Sequence, residues 1–357
     1  MPFYQNLKVK NKDGSENPTD KRTVERLLEL RKEVKKQGIP ERTLNKTLLL
    51  ATWNIRDFDK PIFGSRLQES YYYIAEIISH FDIVAIQEVY KDLTGLNNLM
   101  RILGSDWNYL FSDVTEGNQG NDECMAFVYD TRKVRFGGLA GEMVLPPNPD
   151  GTPASQIWRT PMICGFRAEW AKFMLCSVHI LWGKGSGDSP PDRVAEIEKV
   201  AQFLKRRTED ETAWARKLIL VGDFNIAKNT DPTFKPLADA GFKMPDLLKD
   251  IHTNALKNKQ YDKIVFREKE NSLNFLKGGA FDFYEVVYKK SDEVVYEPFM
   301  GKSYSVKSDG TARTPKQKSD YYEDWRTHQM SDHLPLWVEF EIDFADEYLE
   351  DKLKDEN

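Results

Sequence analysis

Lys217-Leu-Ile-Leu-Val-Gly-Asp-Phe-Asn225 sets the reading of this chain. Its apolar core is short, runs without interruption and stops at a glycine, the pattern of a strand buried on both faces. Asp223 and Asn225 follow at once. On this stretch alone they fit a plain Asx turn as well as a site, since both residue types favour turns.

Moving outward, the same texture recurs. Leu48-Leu-Leu-Ala-Thr-Trp-Asn-Ile55 and Asp82-Ile-Val-Ala-Ile-Gln-Glu88 read as buried strands. Between them Ile74, Ile77, Ile78 and Phe81 fall at helical spacing. β-rich segments follow at 109–114, 125–129, 162–170 and 172–180, and Pro146–Pro153 is a turn-forming stretch. Val194, Ile197, Ala201 and Leu204 mark a surface helix, and 334–342 is the last strand. Upstream, residues 1–18 are polar and read as a loose arm. Val24, Leu27, Leu28, Leu30 and Val34 then stripe a helix over 19–37, closed by Gly38 and Pro40. The pattern predicts one α/β domain over 48–342, with an N-terminal arm and helix at 1–47 and an acidic tail at 343–357.

Composition narrows the class. The chain has 357 residues, 40% hydrophobic and 30% charged, enough for a large core. No apolar run reaches the length of about 18 residues that a membrane helix needs, and the first residues show no signal-peptide pattern. Cys124, Cys164 and Cys176 are far apart, and an odd, low count argues against a disulfide scaffold. The expectation is a reduced, cytoplasmic protein. A net charge of −6 speaks against nonspecific gripping of a polyanion without excluding a local basic groove. The basic 21–36 helix and the acidic tail read as solvated ends.

Polar residues gather where the apolar strands stop. Asn54 and Glu88 end two of them, His179 sits near the end of a third, and Asp332-His333 opens the last. Strand ends are rigid and their loops exposed, so function collects there. The residue types suit one chemistry. Mg²⁺ takes hard oxygen ligands, here Glu88, Asp332 and the Asn54 amide oxygen. Two histidines can move protons to and from the attacking water and the leaving oxygen, and Asn225 can donate to phosphoryl oxygens. Taken singly, His179 in an apolar strand reads more readily as a satisfied core histidine, and Glu88 as a surface or capping residue.

Taken in order, Thr52-Trp-Asn54-Ile-Arg56, Ile86-Gln-Glu88-Val, Ser177-Val-His179, Gly222-Asp223-Phe-Asn225 and Ser331-Asp332-His333-Leu-Pro335 resemble the endonuclease/exonuclease/phosphatase superfamily. The resemblance covers roughly 48–342. It implies a four-layered α/β sandwich of two packed, mainly antiparallel sheets flanked by helices. It implies Glu88 as the main metal carboxylate with Asn54 and Asp332 nearby, and Asp223 binding metal or aligning the nucleophile. Asn225 becomes a phosphate contact, His333 a general base, and His179 a phosphate binder or general acid. The metal is Mg²⁺, with Mn²⁺ or Ca²⁺ as alternatives.

Two more segments are similar to deoxyribonuclease I-like enzymes. Tyr261-Asp262-Lys-Ile-Val265 implies that Asp262 orients His333, and Asn121-Asp-Glu123 that Glu123 orients His179. Arg159, in Trp-Arg-Thr-Pro, matches a phosphate-contacting arginine. Departures count too. His179 stands where abasic-site endonucleases of the exonuclease III type carry a tyrosine, and Asn258-Lys-Gln-Tyr-Asp262-Lys replaces the Pro-x-Trp-x-Asp-Arg segment of inositol-polyphosphate phosphatases. The leading expectation is a monomeric, metal-dependent nuclease acting on DNA or RNA, with no protein partner. A phosphatase or phospholipase on a small phosphorylated or lipid substrate is the alternative, although Pro61-Ile-Phe-Gly64 is too short for a lipid-binding loop. A non-catalytic binder would have lost site residues, and none is missing.

Overall fold

The computed structural model describes residues 2–60, 63–115, 122–183, 191–268 and 273–355. Asn121, Pro61 and Ile62, part of two segments singled out above, lie outside the described residues. The first sheet contains β1 (Thr47–Phe58), β2 (Ile83–Tyr90), β3 (Trp107–Phe111), β4 (Glu123–Asp130), β10 (Phe275–Ala280) and β11 (Leu336–Glu341), in the order β10-β11-β1-β2-β4-β3. The second holds β5 (Arg135–Glu142), β6 (Met162–Ala168), β7 (Ala171–His179), β8 (Leu218–Asp223) and β9 (Asp262–Arg267), in chain order. Both sheets are mainly antiparallel. The parallel exceptions are β1–β2 and β7–β8. Parallel neighbours need a crossover, and helices α2 (Gln68–Ile78) and α4 (Pro191–Glu209) provide the two.

Alternation along each strand builds the layers. Leu48 and Leu50 of β1 and Ile219 and Val221 of β8 point into the core between the sheets. Leu49, Ala51 and Trp53 face the outer layer of α2 and α3 (Thr94–Leu103), whereas Leu218 and Leu220 face α4. Each of these side chains is essentially fully buried, which is why the sequence shows apolar runs instead of alternation. The result is the expected four-layered α/β sandwich.

Helix α1 (Pro18–Lys36) starts on the Asn17 cap and carries proline in its first turn. It lays Leu27, Leu30 and Val34 on the α2 layer. Its arginines reach buried acids, Arg22 to Glu69 at 2.7 Å and Arg31 to Glu76 at 2.8 Å. Ahead of it, Phe3 N–H donates to Ile102 O and Tyr4 and Leu7 pack on the core, so this segment is docked and not a loose arm. β10 and β11 are paired neighbours, yet a long helical excursion joins them. Its main helix, Pro315–Gln329, opens with a Thr314/Gln317 capping box. Tyr322 and Trp325 of this helix are buried among Tyr288 and Tyr296. Tyr322 and Trp325 therefore serve packing, whereas Tyr321 is only partly buried.

Candidate active site

The C-terminal ends of the two parallel pairs meet at one edge of the sandwich. In the second sheet the register sets His179 opposite Asp223 and Asp223 opposite Asp262, one row across β7, β8 and β9. Below this row a polar bridge crosses the sheet interface: Thr52 Oγ1 donates to Gln87 Oε1 (3.2 Å) and Gln87 Nε2 to Ser177 Oγ (2.9 Å). All three are fully buried, and each hydrogen bond satisfies a group that would otherwise be stranded.

Two histidine–carboxylate dyads converge on Asp223. His179 Nδ1 is 2.9 Å from Glu123 Oε2, and His333 Nδ1 is 2.8 Å from Asp262 Oδ2. With Nδ1 held, each ring presents Nε2, and the two Nε2 atoms lie 3.8 and 3.7 Å from the same oxygen, Asp223 Oδ2. Burial opposes charge on His333, but Asp262 and Asp223 outweigh it and raise its pKa well above the ordinary value. For His179 burial and Arg159 oppose the charge, and Glu123 and Asp223 again prevail. Burial would raise the Asp223 pKa, yet His333 and His179 bring it below the usual carboxylate value.

Around the dyads the other expected residues fall into place to differing degrees. Asn54 Nδ2 donates to Glu88 Oε1 (2.8 Å) and Asp223 Oδ2 (3.1 Å). Neither Asn54 nor Glu88 ends its strand: β1 and β2 continue past them, and Glu88, at φ 61°, sits where β2 shifts its register on β1 and β4, with its Oε2 accepting from Asp57 N. Arg159 Nε sits 3.1 Å from Glu123 Oε2, so it is tied to the His179 dyad. Asn225, at φ 53°, gives its side-chain amide to Ile180 O at 2.7 Å, which fixes the loop after β8. Asp332 acts on Glu88 through its field, and its loop is pinned by Ser331, whose hydroxyl donates to Asn54 O (2.6 Å) and accepts from His333 N (2.9 Å).

The donor set fits a divalent cation. Burial, with Glu123 and Asp332 nearby, pushes Glu88 up to about 7 despite His179. Such crowding of acids marks a place short of positive charge. Asn54 Oδ1 is buried without a hydrogen-bond partner. Glu88, Glu123 and His179 bring donor atoms within 4.8 Å of one another. Glu88 therefore has Asn54 on one side, as expected, and on the other the dyad that the sequence assigned to proton handling.

Some contributors escaped the sequence reading. Arg193 of α4 donates to the carbonyls of Leu181 (3.3 Å), Trp182 and Asn225, tying together the loops after β7 and β8. Glu196, one turn on, accepts from Trp158 N beside Arg159, and burial raises it to about 7. Trp182 is 58% exposed and stands edge-on to Tyr261 (5.5 Å), whose ring lies 5.8 Å from that of His333. An arginine and a glutamate on an amphipathic helix look solvated, and a lone tryptophan carries no spacing signal.

Among solved structures, an endonuclease/exonuclease/phosphatase family protein from Bacteroides thetaiotaomicron superposes with TM-score 0.54 at 19% identity, covering 84% of this chain and 99% of its own. The chain has the endonuclease/exonuclease/phosphatase fold. Two further structures share this fold. A mannosyl-6-phosphatase from Bacteroides thetaiotaomicron gives TM-score 0.53 at 19% identity over 82% of this chain and 99% of that one. The human Nocturnin catalytic domain gives 0.51 at 14% over 82% and 94%. In sequence, a deoxyribonuclease from Thioalkalivibrio sp. (strain K90mix) is 30% identical over 190 residues, 52% of this chain and 48% of that protein. The chain thus spans about half the length of that relative. No family model matches the chain.

Proposed function

We propose that this protein is a divalent-metal-dependent phosphodiesterase that cleaves DNA or RNA. The convergence of two carboxylate-anchored imidazoles on one Asp223 oxygen carries this reading. Glu88, with Asn54 and Asp332, would hold Mg²⁺, with Mn²⁺ or Ca²⁺ as substitutes. Bound there, the ion would neutralise charge on the phosphate and leaving oxygen and offset part of the carboxylate field, so that His333 is neutral to accept a proton while His179 keeps the one it donates. The attacking water gives its proton to His333 Nε2 while its oxygen bonds to phosphorus. The bond from phosphorus to the leaving oxygen breaks, and that oxygen takes a proton from His179 Nε2. Asp262 and Glu123 keep each ring in the tautomer this exchange needs. Asp223 orients both rings and the water, and Asn225 and Arg159 contact the phosphoryl oxygens.

For a polynucleotide, the support is the surface of Trp182 and Tyr261 next to His333, on which a base can stack, together with the likeness to a deoxyribonuclease. A small phosphomonoester is the second reading. It is favoured by a small cavity of about 350 Å³ beside His333, lined by Arg56 and Arg326 among Asp320, Glu323 and Asp324. Among the described residues no helix is long and apolar enough to cross a membrane, and the three buried cysteines are free. The free thiols suit a reducing compartment, and we place the protein in the cytoplasm, as a monomer. The test is a substrate panel in Mg²⁺: supercoiled plasmid, single-stranded DNA, RNA and small sugar phosphates. Polynucleotide cleavage supports the first reading, and phosphate release from the sugar phosphates alone replaces it with the second.

A further inference from the structure

Outside the dyads, the helical excursion between β10 and β11 builds a second cavity, of about 680 Å³, against the segment before α2. Phe63 and Tyr321 form an edge-to-face pair in its wall (5.4 Å). Lys302, Lys307 and Arg313 supply its charge, and its lining contains no aspartate or glutamate. Arg313 is held by Ser303 O at 2.8 Å and lies over the Tyr321 ring at 5.0 Å. Asp309 accepts from Thr311 N (2.9 Å) and Oγ1 (2.6 Å) and attracts Lys307 through its field without forming an ion pair with it. Among the described residues, none of the three cations pairs with a carboxylate. Elsewhere in this acidic chain, arginines such as Arg22, Arg42, Arg132 and Arg267 do.

The cavity is linked to the dyads by a short chain of contacts. The Phe63 ring is 4.5 Å from that of His328, His328 Nδ1 is 3.7 Å from Asp57 Oδ2, and Asp57 N donates to Glu88. Three cations without an ion-pair partner call for an anion, and the partly exposed Phe63 and Tyr321 rings add flat apolar surface to the same wall. Phosphates spaced by bases satisfy both; an acidic peptide satisfies only the first. We infer that this cavity is a polynucleotide subsite, which grips phosphates and a base of the strand away from the scissile bond. The inference builds on the polynucleotide reading above, and binding is measured apart from cleavage so that the two can fail separately.

The experiment compares wild type with Lys302→Ala/Lys307→Ala/Arg313→Ala and, to guard against a folding defect at Arg313, with Lys302→Ala/Lys307→Ala. Binding of a fluorescent 20-nucleotide oligo-dT is followed by anisotropy in EDTA across a salt series. Turnover of that oligonucleotide and of bis(p-nitrophenyl) phosphate is followed in Mg²⁺. The triple variant should bind about 10-fold more weakly or worse, and its salt slope should fall by about 2, at roughly 0.7 per lost phosphate contact. The double variant should show part of both effects. kcat/KM should drop alike on the oligonucleotide while the small diester changes less than about twofold. Unchanged binding and salt slope would overturn the subsite, as would equal losses on both substrates or full displacement of the oligonucleotide by polyglutamate. Binding that depends on the three cations, without cleavage of any polynucleotide, would leave the subsite standing and overturn the nuclease reading.

Discussion

His179 and His333 differ from ordinary buried histidines in what lies on each side of the ring. A carboxylate anchors Nδ1 and a shared acid faces Nε2. Replacing either by alanine should lower kcat on the folded fraction by about 100- to 10,000-fold, and should also destabilise the fold, because buried carboxylates lose their partner. Asp262→Asn, which leaves the ring in place but removes the anchoring charge, should cost about 10- to 100-fold. Steady-state kinetics on one diester substrate checks both, and a silent Asp262→Asn would detach that dyad from the reaction. Lys263 gives a different signal. Burial pushes its ammonium down to about 7 against the attraction of Asp262 and Asp223. Between that value and the ordinary 10.5 the unfolded chain holds the extra proton, so stability rises with pH over this window. Below about 7 the group is charged in both states and the slope vanishes. Urea midpoints at pH 7, 8 and 9 should climb less in Lys263→Met than in wild type; parallel curves would contradict this. At this scale the sequence was informative wherever a polar residue directly followed an apolar run, as with Asn54, Glu88 and Asp223. It was silent on Arg193, which acts through backbone carbonyls that no residue pattern records.

At the level of elements, β7 and β8 approach too closely for any side chain at Gly222. A Cβ there would sit 1.9 Å from Val178 O, and φ is +132°. Gly222→Ala must push apart the strands that carry His179 and Asp223. It should destabilise the fold by about 1–3 kcal/mol and cut activity beyond what the lost stability explains. Denaturant unfolding and kcat measured on the folded fraction separate the two effects, and a fully active variant would show that the strand spacing is not critical. Central strands such as β1 and β8 were legible because burial on both faces leaves an unbroken apolar run. β5 and β10 were not, because they are edge strands with exposed faces and glycines, Gly137, Gly138 and Gly141 in one and Gly278 and Gly279 in the other. The helix Ala345–Asp355 was also hidden, since its acidic composition reads as a solvated tail.

Over the whole molecule, the motif set revealed the sandwich because widely separated strand ends must meet to make sense of one chemistry. It could not reveal how the segment between α1 and β1 is anchored. Arg42 bridges Asp82 (2.6 Å) and Asp130 (2.5 Å), both fully buried, just after α1 and far from any motif. A site short of positive charge also makes stability depend on the cation. Mg²⁺ at about 100 times its dissociation constant should stabilise the native state by about 2.7 kcal/mol, and Glu88→Gln should abolish most of that gain; thermal unfolding with and without Mg²⁺ reads both. In the proposed mechanism the two dyads and a metal at Glu88 act together on phosphodiesters. The most direct measurement is turnover of bis(p-nitrophenyl) phosphate in Mg²⁺ by wild type, His179→Ala and His333→Ala, with an EDTA control. Wild type should turn the diester over, EDTA should abolish this turnover, and each substitution should lower it at least about 100-fold. Turnover that survives EDTA, or that both substitutions leave intact, would contradict this mechanism.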